Sequence, residues 1–279
     1  MAEVHAAGER DALVTGANTG IGLACALRLA RSGFAVTATV RSEDKARAVH
    51  DAARGVGVEV DTELLEVTDT AACARLIAHR RPSVLVNNAG INAVAAIEET
   101  SDEDLLSILA VNTVAPIRLA RLAVPHMRAR GGGRIVNVSS AEGRIMLPLL
   151  GGYQASKHAL EAMTAALRVE TARDGIRVSS VQPGNVDTAI YDKGFWVDEH
   201  FHQGSRYACA YERLKNLMRA NGRTQSSPDA VAEVIVKVVT TPHPKARYLV
   251  GLDARALTAT HQLVPALLRE RLYRKVFAL

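Results

Sequence analysis

The sequence predicts one α/β domain, in which helices cover both faces of a doubly wound parallel sheet. Short apolar runs such as "DALVTG" and "FAVTATV" alternate with longer segments whose apolar residues recur at helical spacing. Strands that are apolar throughout are typical of parallel sheets buried on both faces. The 279 residues contain no internal repeat, low-complexity tract or linker, so we expect a single domain over residues 1–279.

The first half of the chain begins with the strand "DALVTG" and the helix "GIGLACALRLARSG", which Gly33 closes. The strand "FAVTATV" follows, then the strand "VEVDTELLEV", a helix through "TAACARLIAH" and the strand "PSVLVNNAG". Residues 100–130 form a long helical stretch. It starts with "SDED", in which Ser101 and Asp104 resemble a capping box.

The second half adds the strand "RIVNVSS", a helix that begins at Tyr153, and the strand "IRVSSVQPG". In "SPDAVAEVIVKVV", Ser227 is the expected N-cap and Pro228 the first helical residue. "ARYLVG" is the last strand, and a helical tail covers about residues 252–279. Strands and helices therefore alternate along the second half of the chain as they do along the first.

Composition excludes several function classes. Hydrophobic residues make up 48% and charged residues 23% of the chain, as in ordinary globular proteins. No apolar run approaches the roughly 20 residues that a membrane span needs. Three cysteines without a CxxC pattern indicate free thiols in a reducing compartment, so we expect a cytoplasmic protein. The net charge of +5 comes from scattered arginines, which argues against a nucleic-acid partner.

A glycine-rich loop joins the first strand to the first helix in "LVTGANTGIGLACAL". A pyrophosphate must approach backbone N–H groups closely there, where a Cβ would obstruct it, and the helix N-terminus adds partial positive charge. A plain glycine turn is the structural alternative, but the strand–loop–helix context favours a dinucleotide. The loop residues expected to bind it are Gly16, Asn18, Thr19, Gly20, Ile21 and Gly22.

The end of the second strand indicates which dinucleotide is bound. An acidic residue there would bind the ribose 2′-hydroxyl of NAD, but the strand ends at Arg41, followed by Ser42. A guanidinium group suits the 2′-phosphate of NADP through charge-assisted hydrogen bonds. An ordinary surface arginine is the alternative, and Glu43 and Asp44 dilute the local charge. We expect NADP(H), with NAD(H) still possible.

Six motifs together resemble the short-chain dehydrogenase/reductase family: "TGANTGIG", "NNAG", "VNTV", "VNVSS", "YQASK" and "PGNVDT". Their order and spacing match over roughly residues 11–188, and more loosely beyond. The resemblance implies a Rossmann-like fold, and the chain is loosely similar to steroid- and retinoid-type members. It also implies a general acid/base, Tyr153, with Lys157 on the next turn and Ser140 thirteen residues before the tyrosine.

By the same resemblance, Ser140 binds the substrate oxygen, Lys157 holds the nicotinamide ribose, and Asn112 positions a water behind the lysine. For Asn112, a capping or solvated asparagine is the alternative.

A free tyrosine has a pKa near 10. An ammonium group about 4 Å away, at an effective dielectric of about 20, contributes on the order of 4 kcal/mol. That would lower the pKa of Tyr153 by nearly three units before desolvation is counted.

Further cofactor contacts are implied by the resemblance alone. The third strand ends in Glu66 where the family usually has an aspartate, which leaves the adenine contact open, although a following backbone amide could serve. The "PGNVDT" segment would grip the carboxamide end of the nicotinamide. Besides Tyr153 and Lys157, these contacts are Glu66, Val67, Asn88, Ala89, Gly90, Pro183, Gly184, Val186 and Thr188.

A second Tyr–Lys pair at the same spacing, Tyr211 and Lys215, lacks a preceding strand motif and is interpreted as an ordinary helix surface. It lies in a region of about residues 189–227 that corresponds to the family's variable substrate lid and is rich in aromatic residues. Together with the apolar loop "RIMLPLLGG", the lid favours a lipophilic ketone or secondary alcohol. Aromatic residues that only anchor the lid are the alternative.

The remaining predictions concern metal binding, the C-terminal tail and the oligomeric state. His200 and His202 lack a third ligand, so we expect no metal. The basic tail is expected to pack on the domain, with a partner subunit or a membrane surface as alternatives. An Ala-rich helix over residues 155–166 indicates, by the resemblance, a homodimer or homotetramer.

Two other function classes remain open from sequence. One is a dinucleotide-binding regulator that senses redox state without turnover. The complete set of Ser140, Tyr153, Lys157 and Asn112 argues against it. The other is an epimerase or dehydratase of the extended branch, which typically spaces its loop glycines differently and is longer.

Overall fold

A seven-stranded parallel sheet forms the centre of the protein. The computed structural model describes residues 10–186, 195–196, 204–220 and 226–279. The strand order in the sheet is β3-β2-β1-β4-β6-β7-β9. The strands are β1 (Asp11–Val14), β2 (Ala35–Val40), β3 (Asp61–Leu64), β4 (Val84–Asn87), β5 (Ala93–Val94), β6 (Gly133–Val138), β7 (Ile176–Pro183), β8 (Phe195–Trp196) and β9 (Arg247–Val250).

The strand order makes the sheet doubly wound and determines where a ligand-binding cleft is expected. From β1 the chain moves outward through β2 to β3, then returns to β4 on the other side of β1 and moves outward to β9. Leu13 in β1 is accordingly paired with Thr37 on one side and with Leu85 on the other. Ligands bind at such a reversal, outside the carboxyl ends of the strands. This confirms the predicted fold class.

Helices cover both faces of the sheet. Apolar residues of α1, α2 and α8 pack against one face, and those of α3 and α5 pack against the other. The helices are α1 (Gly20–Arg31), α2 (Glu43–Gly55), α3 (Thr70–Arg80), α4 (Asp102–Leu109), α5 (Ala115–Ala129), α6 (Gly151–Glu170), α7 (Ala208–Ala220), α8 (Pro228–Thr240), α9 (Leu252–Leu263) and α10 (Ala266–Phe277).

The predicted helix over residues 100–130 has a π-helical turn in its middle. The turn Ala110–Val114 joins α4 to α5, and it carries Asn112. Such turns occur frequently at functional sites. Contrary to the sequence expectation, the combined helix Asp102–Ala129 is long and apolar enough to cross a membrane by length and composition. Its α5 part packs on the sheet, as a core helix would.

Helix ends follow the sequence signals with small differences. Ser101 Oγ accepts a hydrogen bond from the Asp104 amide at 3.1 Å and caps α4. Ser227 caps α8 in the same way, and Pro228 is the first residue of that helix. Helix α6 begins at Gly151, two residues before the predicted start at Tyr153. The short parallel pair of β5 and β8 has no clear sequence signal because each strand is two residues long.

The second Tyr–Lys pair is not a helix surface. Tyr211 is 2% exposed and belongs to a third apolar cluster, with Leu149 and Phe277. Its hydroxyl donates to Glu99 Oε2 at 2.6 Å and accepts from the Ala96 amide at 2.7 Å. Tyr211 therefore anchors α7, and the interpretation of this tyrosine as part of an ordinary helix surface was wrong.

Candidate active site

A cleft of about 460 Å³ opens at the reversal point of the sheet. It runs from the loop after β1, past the ends of β2 and β4, to the start of α6. Most of the residues predicted to form the site line it. They are Gly16, Asn18, Thr19, Gly20, Ile21, Arg41, Glu66, Val67, Asn88, Ala89, Gly90, Ser140, Tyr153, Lys157, Pro183, Gly184 and Val186.

The glycine loop has the shape that a pyrophosphate requires. Gly16 has φ +63°, and a Cβ there would lie 2.9 Å from the Ala89 Cα. A Cβ on Gly22 would lie 2.4 Å from the Gly16 carbonyl oxygen and 2.5 Å from Asn88 Nδ2. Gly22 does not line the cleft; it lets α1 approach the loop closely, so that the first turn of α1 faces the open space.

The "NNAG" segment ties the loop to the neighbouring strand end. Thr15 Oγ1 accepts hydrogen bonds from the amides of Asn88 and Ala89, both at 3.0 Å. The Asn88 side chain donates to the carbonyl oxygens of Thr15 and Gly16 at 3.0 and 3.1 Å. Both walls of the cleft are therefore fixed by hydrogen bonds. A dinucleotide fits a cradle in which glycine backbone approaches the ligand and polar backbone groups are held in place.

Two cationic side chains lie at the end of the cleft beside β2. Arg41 is exposed, and Lys45, one helical turn later, also lines the cleft. The nearby Asp44 forms an ion pair with Arg47, outside the cleft. The predicted contact Ser42 does not line the cleft, because it occupies the N-cap position of α2. Lys45 is thus a second cationic residue of the cleft beside Arg41, which sequence reasoning missed; it belongs to α2, whereas Arg41 precedes that helix.

The part of the cleft beside the end of β3 includes Glu66 and Val67, the residues expected to contact adenine. Glu66 is exposed, and its Oε1 accepts hydrogen bonds from the amide and hydroxyl of Thr68 at 3.4 and 3.3 Å. Arg118 in α5 donates to the carbonyl oxygen of Val67 at 3.0 Å. The backbone after β3 is held by these contacts, whereas the Glu66 carboxylate is occupied locally.

Tyr153 and Lys157 lie on one face of α6, beside the cleft. Lys157 Nζ lies 5.7 Å from the centroid of the Tyr153 ring and donates to the Val138 carbonyl oxygen at 3.1 Å. Ser140 follows β6, lines the same cleft, and its Oγ accepts from the Glu142 amide at 3.1 Å. The strand end and the helix start therefore bring a hydroxyl, a phenol and an ammonium group together.

The charge of Lys157 depends on its burial. Desolvation lowers the pKa of Lys157 to about 8, while the charges of Glu161 and Glu142 act in the opposite direction. A pKa of about 8 leaves the side chain mainly protonated at neutral pH. An ammonium group beside a phenol favours the phenolate form, which is the electrostatic condition for proton transfer near neutral pH.

Asn112 does not line the cleft, but its side chain forms hydrogen bonds that hold the surrounding segments in place. Its Oδ1 accepts from the Ile91 amide at 2.9 Å, and its Nδ2 donates to the Ile91 carbonyl at 2.8 Å and to Ser156 Oγ at 3.0 Å. A Cβ on Gly90 would lie 3.2 Å from Asn112 Oδ1 and 3.7 Å from Lys157 Nζ. Asn112 is 1% exposed, so a solvated side chain is excluded.

The segment after β7 is held by a residue far along the chain. Asp253, at the start of α9, accepts a hydrogen bond from the Asn185 amide at 2.7 Å. A Cβ on Gly184 would lie 2.2 Å from Asp253 Oδ2, so glycine is required at this close approach. Sequence reasoning missed Asp253, which holds the segment of Pro183, Gly184 and Val186 that lines the cleft.

Some predicted features lie outside the described residues: Thr188, Tyr191, His200, Phe201 and His202. Of the lid aromatics whose side chains are described, Tyr207 and Tyr211 pack in the third apolar cluster and do not line the cleft. Leu149 and Leu150 of the "RIMLPLLGG" loop are buried in the same cluster. These side chains therefore anchor the lid rather than form the cleft wall.

Comparisons with known proteins agree with this geometry. A family model described as short chain dehydrogenase matches residues 10–195. The D-beta-hydroxybutyrate dehydrogenase of Rhizobium meliloti is 30% identical over 90% of this chain and 95% of its own length. Human 17-beta-hydroxysteroid dehydrogenase type 1 is 32% identical over 85% of this chain and 76% of its own length.

A solved structure is similar over most of its length. The actinorhodin polyketide ketoreductase with NADPH superposes with a TM-score of 0.73 and 31% identity, covering 86% of this chain and 95% of that one. The motifs, the sheet order and these matches all point to one family. The chain belongs to the short-chain dehydrogenase/reductase family and is an oxidoreductase of the class that interconverts CH–OH and C=O groups.

Proposed function

We propose that this protein is an NADP(H)-dependent oxidoreductase that interconverts a lipophilic ketone and its secondary alcohol, with Tyr153 as general acid and base. The observation that carries the proposal is the placement of Tyr153, Lys157 and Ser140 on the same cleft as the glycine loop. When bound, the nicotinamide supplies or accepts the hydride at the substrate carbon. Arg41 and Lys45 at the other end of the cleft support a 2′-phosphate.

Each of the four site side chains has a separate role in the proposed reaction. In reduction, Tyr153 donates its phenolic proton to the carbonyl oxygen, and in oxidation it takes the proton back. Ser140 Oγ donates a hydrogen bond to the same oxygen and orients it. Lys157 stabilises the phenolate and binds the ribose hydroxyls. Asn112, buried behind Gly90 and bonded to Ser156, fixes the position of α6 relative to the cleft. By the family pattern, it also positions a water in the proton relay behind Lys157.

A lipophilic substrate is supported by side chains beside the start of α6. Ile97 packs so closely over Gly151 that a Cβ there would lie 2.4 Å from its Cδ1, and Ile97 remains 68% exposed. Met146, in the loop that leads into α6, is also exposed. The hydroxysteroid dehydrogenase and the polyketide ketoreductase that the chain resembles are named for lipophilic substrates.

A redox-sensing regulator is the alternative function on the same fold. A sensor needs the glycine loop and Arg41 but gains nothing from a phenol beside a buried ammonium group. Burying Lys157 costs desolvation, as its lowered pKa shows. This cost is expected where the charge serves a reaction.

A screen of lipophilic ketones and alcohols tests the proposed function. Each compound is mixed with the protein and NADPH, NADH, NADP⁺ or NAD⁺, and nicotinamide absorbance is followed. We expect ketone-dependent oxidation of NADPH, and slower oxidation of NADH. Tight NADPH binding without turnover of any compound would contradict the proposal and support the regulator.

We also propose a homodimer or homotetramer built on α5 and α6. Leu106, Val114 and Met163 are large apolar residues on α4, at the end of the π turn and on α6, and each is roughly half exposed or more. In the family, the helix that corresponds to α6 and the helix before it build the dimer interface. Sedimentation velocity is expected to give a dimer or tetramer, and Met163→Glu is expected to shift it toward monomer. A monomeric wild-type protein would contradict this.

A further inference from the structure

Glu142 is an acidic side chain in the cleft that the proposed reaction does not use. It belongs to the 3-10 turn Ala141–Gly143 that follows Ser140, and it lines the cleft together with Ser140 and Tyr153. Its Oε2 is shielded from solvent and has no hydrogen-bond partner in the part of the chain that the structure describes. A carboxyl oxygen in this state is costly unless a ligand satisfies it.

The protein's own cation does not satisfy this carboxyl group. Lys157 Nζ donates its hydrogen bond to the Val138 carbonyl oxygen instead. Burial raises the pKa of Glu142 to about 7, while the charge of Lys157 acts in the opposite direction. At neutral pH the group is therefore divided between a carboxylate, which accepts hydrogen bonds, and a carboxylic acid, which can also donate one.

The nearby Glu161 shows the contrast. Its Oε2 accepts from Ser180 Oγ and from Arg247 Nε, both at 3.1 Å, and it does not line the cleft. Glu161 Oε1, like Glu142 Oε2, is shielded from solvent and has no hydrogen-bond partner among the described residues. The two carboxyl groups flank Lys157, and they differ in that Glu142 lines the cleft whereas Glu161 does not.

The position of Glu142 relates it to the reacting oxygen. Its amide donates to Ser140 Oγ at 3.1 Å, so the two residues share one tight turn. If Ser140 binds the oxygen of the reacting carbonyl, the neighbouring carbons of the substrate lie in the cleft that Glu142 also lines. A hydroxyl group on a carbon next to the carbonyl would donate a hydrogen bond to the Glu142 carboxylate. A substrate carboxylate at the same place would be repelled by the Glu142 carboxylate.

We infer that Glu142 is a specificity-determining residue: its carboxyl group binds a hydroxyl group that the substrate carries beside the reacting carbonyl, and it excludes substrates with a carboxylate there. The inference rests on the proposed carbonyl reduction. It narrows the substrate class to neutral hydroxyketones and the corresponding diols.

Two pairs of probes test the inference: 2-hydroxycyclohexanone against cyclohexanone, and ethyl acetoacetate against acetoacetate. The variants are Glu142→Ala, which removes the carboxyl group, and Glu142→Gln, which removes only its charge. Glu103→Gln, at an exposed position of α4, is the matched control. The quantity compared is the ratio of kcat/KM within each pair, because general damage to the fold lowers both members equally.

We expect the wild-type protein and Glu103→Gln to prefer the hydroxyketone by about tenfold or more, the usual effect of one hydrogen bond to a charged group. Glu142→Ala should abolish this preference. Both Glu142 variants should raise the ratio of acetoacetate to its ester by a similar factor. A wild-type protein with no preference, or ratios unchanged in Glu142→Ala, would overturn the inference.

The affinity of the probes can be measured without turnover, so it tests the role of Glu142 separately from the proposed reaction. If no ketone is turned over, calorimetry on the protein saturated with NADPH gives the dissociation constants of the same probes. Hydroxyketone preference that disappears in Glu142→Ala would support the role of Glu142 even though the reaction had failed. Equal dissociation constants would overturn the role of Glu142.

Discussion

Replacement of Tyr153 by phenylalanine is expected to lower kcat for carbonyl reduction by about 10²- to 10⁴-fold, the usual contribution of a general acid. The change removes one oxygen atom at the start of α6 and leaves the ring in place. Glu142 also lines this part of the cleft, but its carboxyl group is assigned no proton transfer in the proposed reaction.

The dissociation constant of NADPH should remain nearly unchanged in Tyr153→Phe. The glycine loop, Arg41 and Lys45 lie at the other end of the cleft, and the Lys157 side chain keeps its bond to the Val138 carbonyl oxygen. Steady-state kinetics and a fluorescence titration with NADPH measure the two quantities separately. An equal loss of binding would mean that the variant had disturbed the cleft.

Tyr211→Phe is the matched control, because Tyr211 also precedes a lysine by four residues. Its hydroxyl bonds Glu99 and the Ala96 amide inside the third apolar cluster. We expect this variant to keep its turnover and to lose stability by about 1–3 kcal/mol, since buried groups are left without partners. Undiminished carbonyl reduction in Tyr153→Phe would remove Tyr153 from the mechanism.

Replacement of Arg41 by aspartate is expected to weaken NADPH binding by about 10²-fold or more, from the loss of charge-assisted hydrogen bonds and the gain of like-charge repulsion. NADH lacks the 2′-phosphate, and the aspartate can accept a hydrogen bond from its 2′-hydroxyl. NADH binding should therefore be kept or improved, which reverses the cofactor preference. The dissociation constants of both cofactors are the measurement.

Arg47→Asp tests whether the effect depends on position or only on net charge. Arg47 lies in α2, six residues after Arg41; its side chain is 68% exposed and pairs with Asp44 outside the cleft. This variant makes the same change in charge and should leave both dissociation constants nearly unaffected, because Arg47 does not line the cleft and salt weakens the effect of exposed charges. An equal effect of Arg41→Asp on NADPH and NADH would contradict a 2′-phosphate site.

The residues that sequence predicted well are those whose position follows from local geometry. A glycine loop between a strand and a helix can lie only at the carboxyl edge of the sheet, and i, i+4 spacing puts Tyr153 and Lys157 on one face of α6. Neither conclusion needs knowledge of the rest of the fold.

The residues that sequence missed depend on contacts between distant segments. Asp253 meets Gly184 only because β9 returns beside β7, and Arg118 meets Val67 only because the segment after β3 packs in the same apolar cluster as α5. Periodicity could not show that Tyr211 points into an apolar cluster rather than toward solvent or substrate. Glu142 lies in a 3-10 turn of three residues, which is too short to show a periodic pattern in the sequence.

The most direct test of the central claim is a single turnover with NADPH that carries deuterium at C4 of the nicotinamide. The protein is mixed with a ketone that is reduced in the screen, and the product alcohol is analysed by mass spectrometry. We predict deuterium on the carbinol carbon with one of the two C4 diastereomers, and loss of that product in Tyr153→Phe. Alcohol without deuterium from either diastereomer would contradict hydride transfer in this cleft.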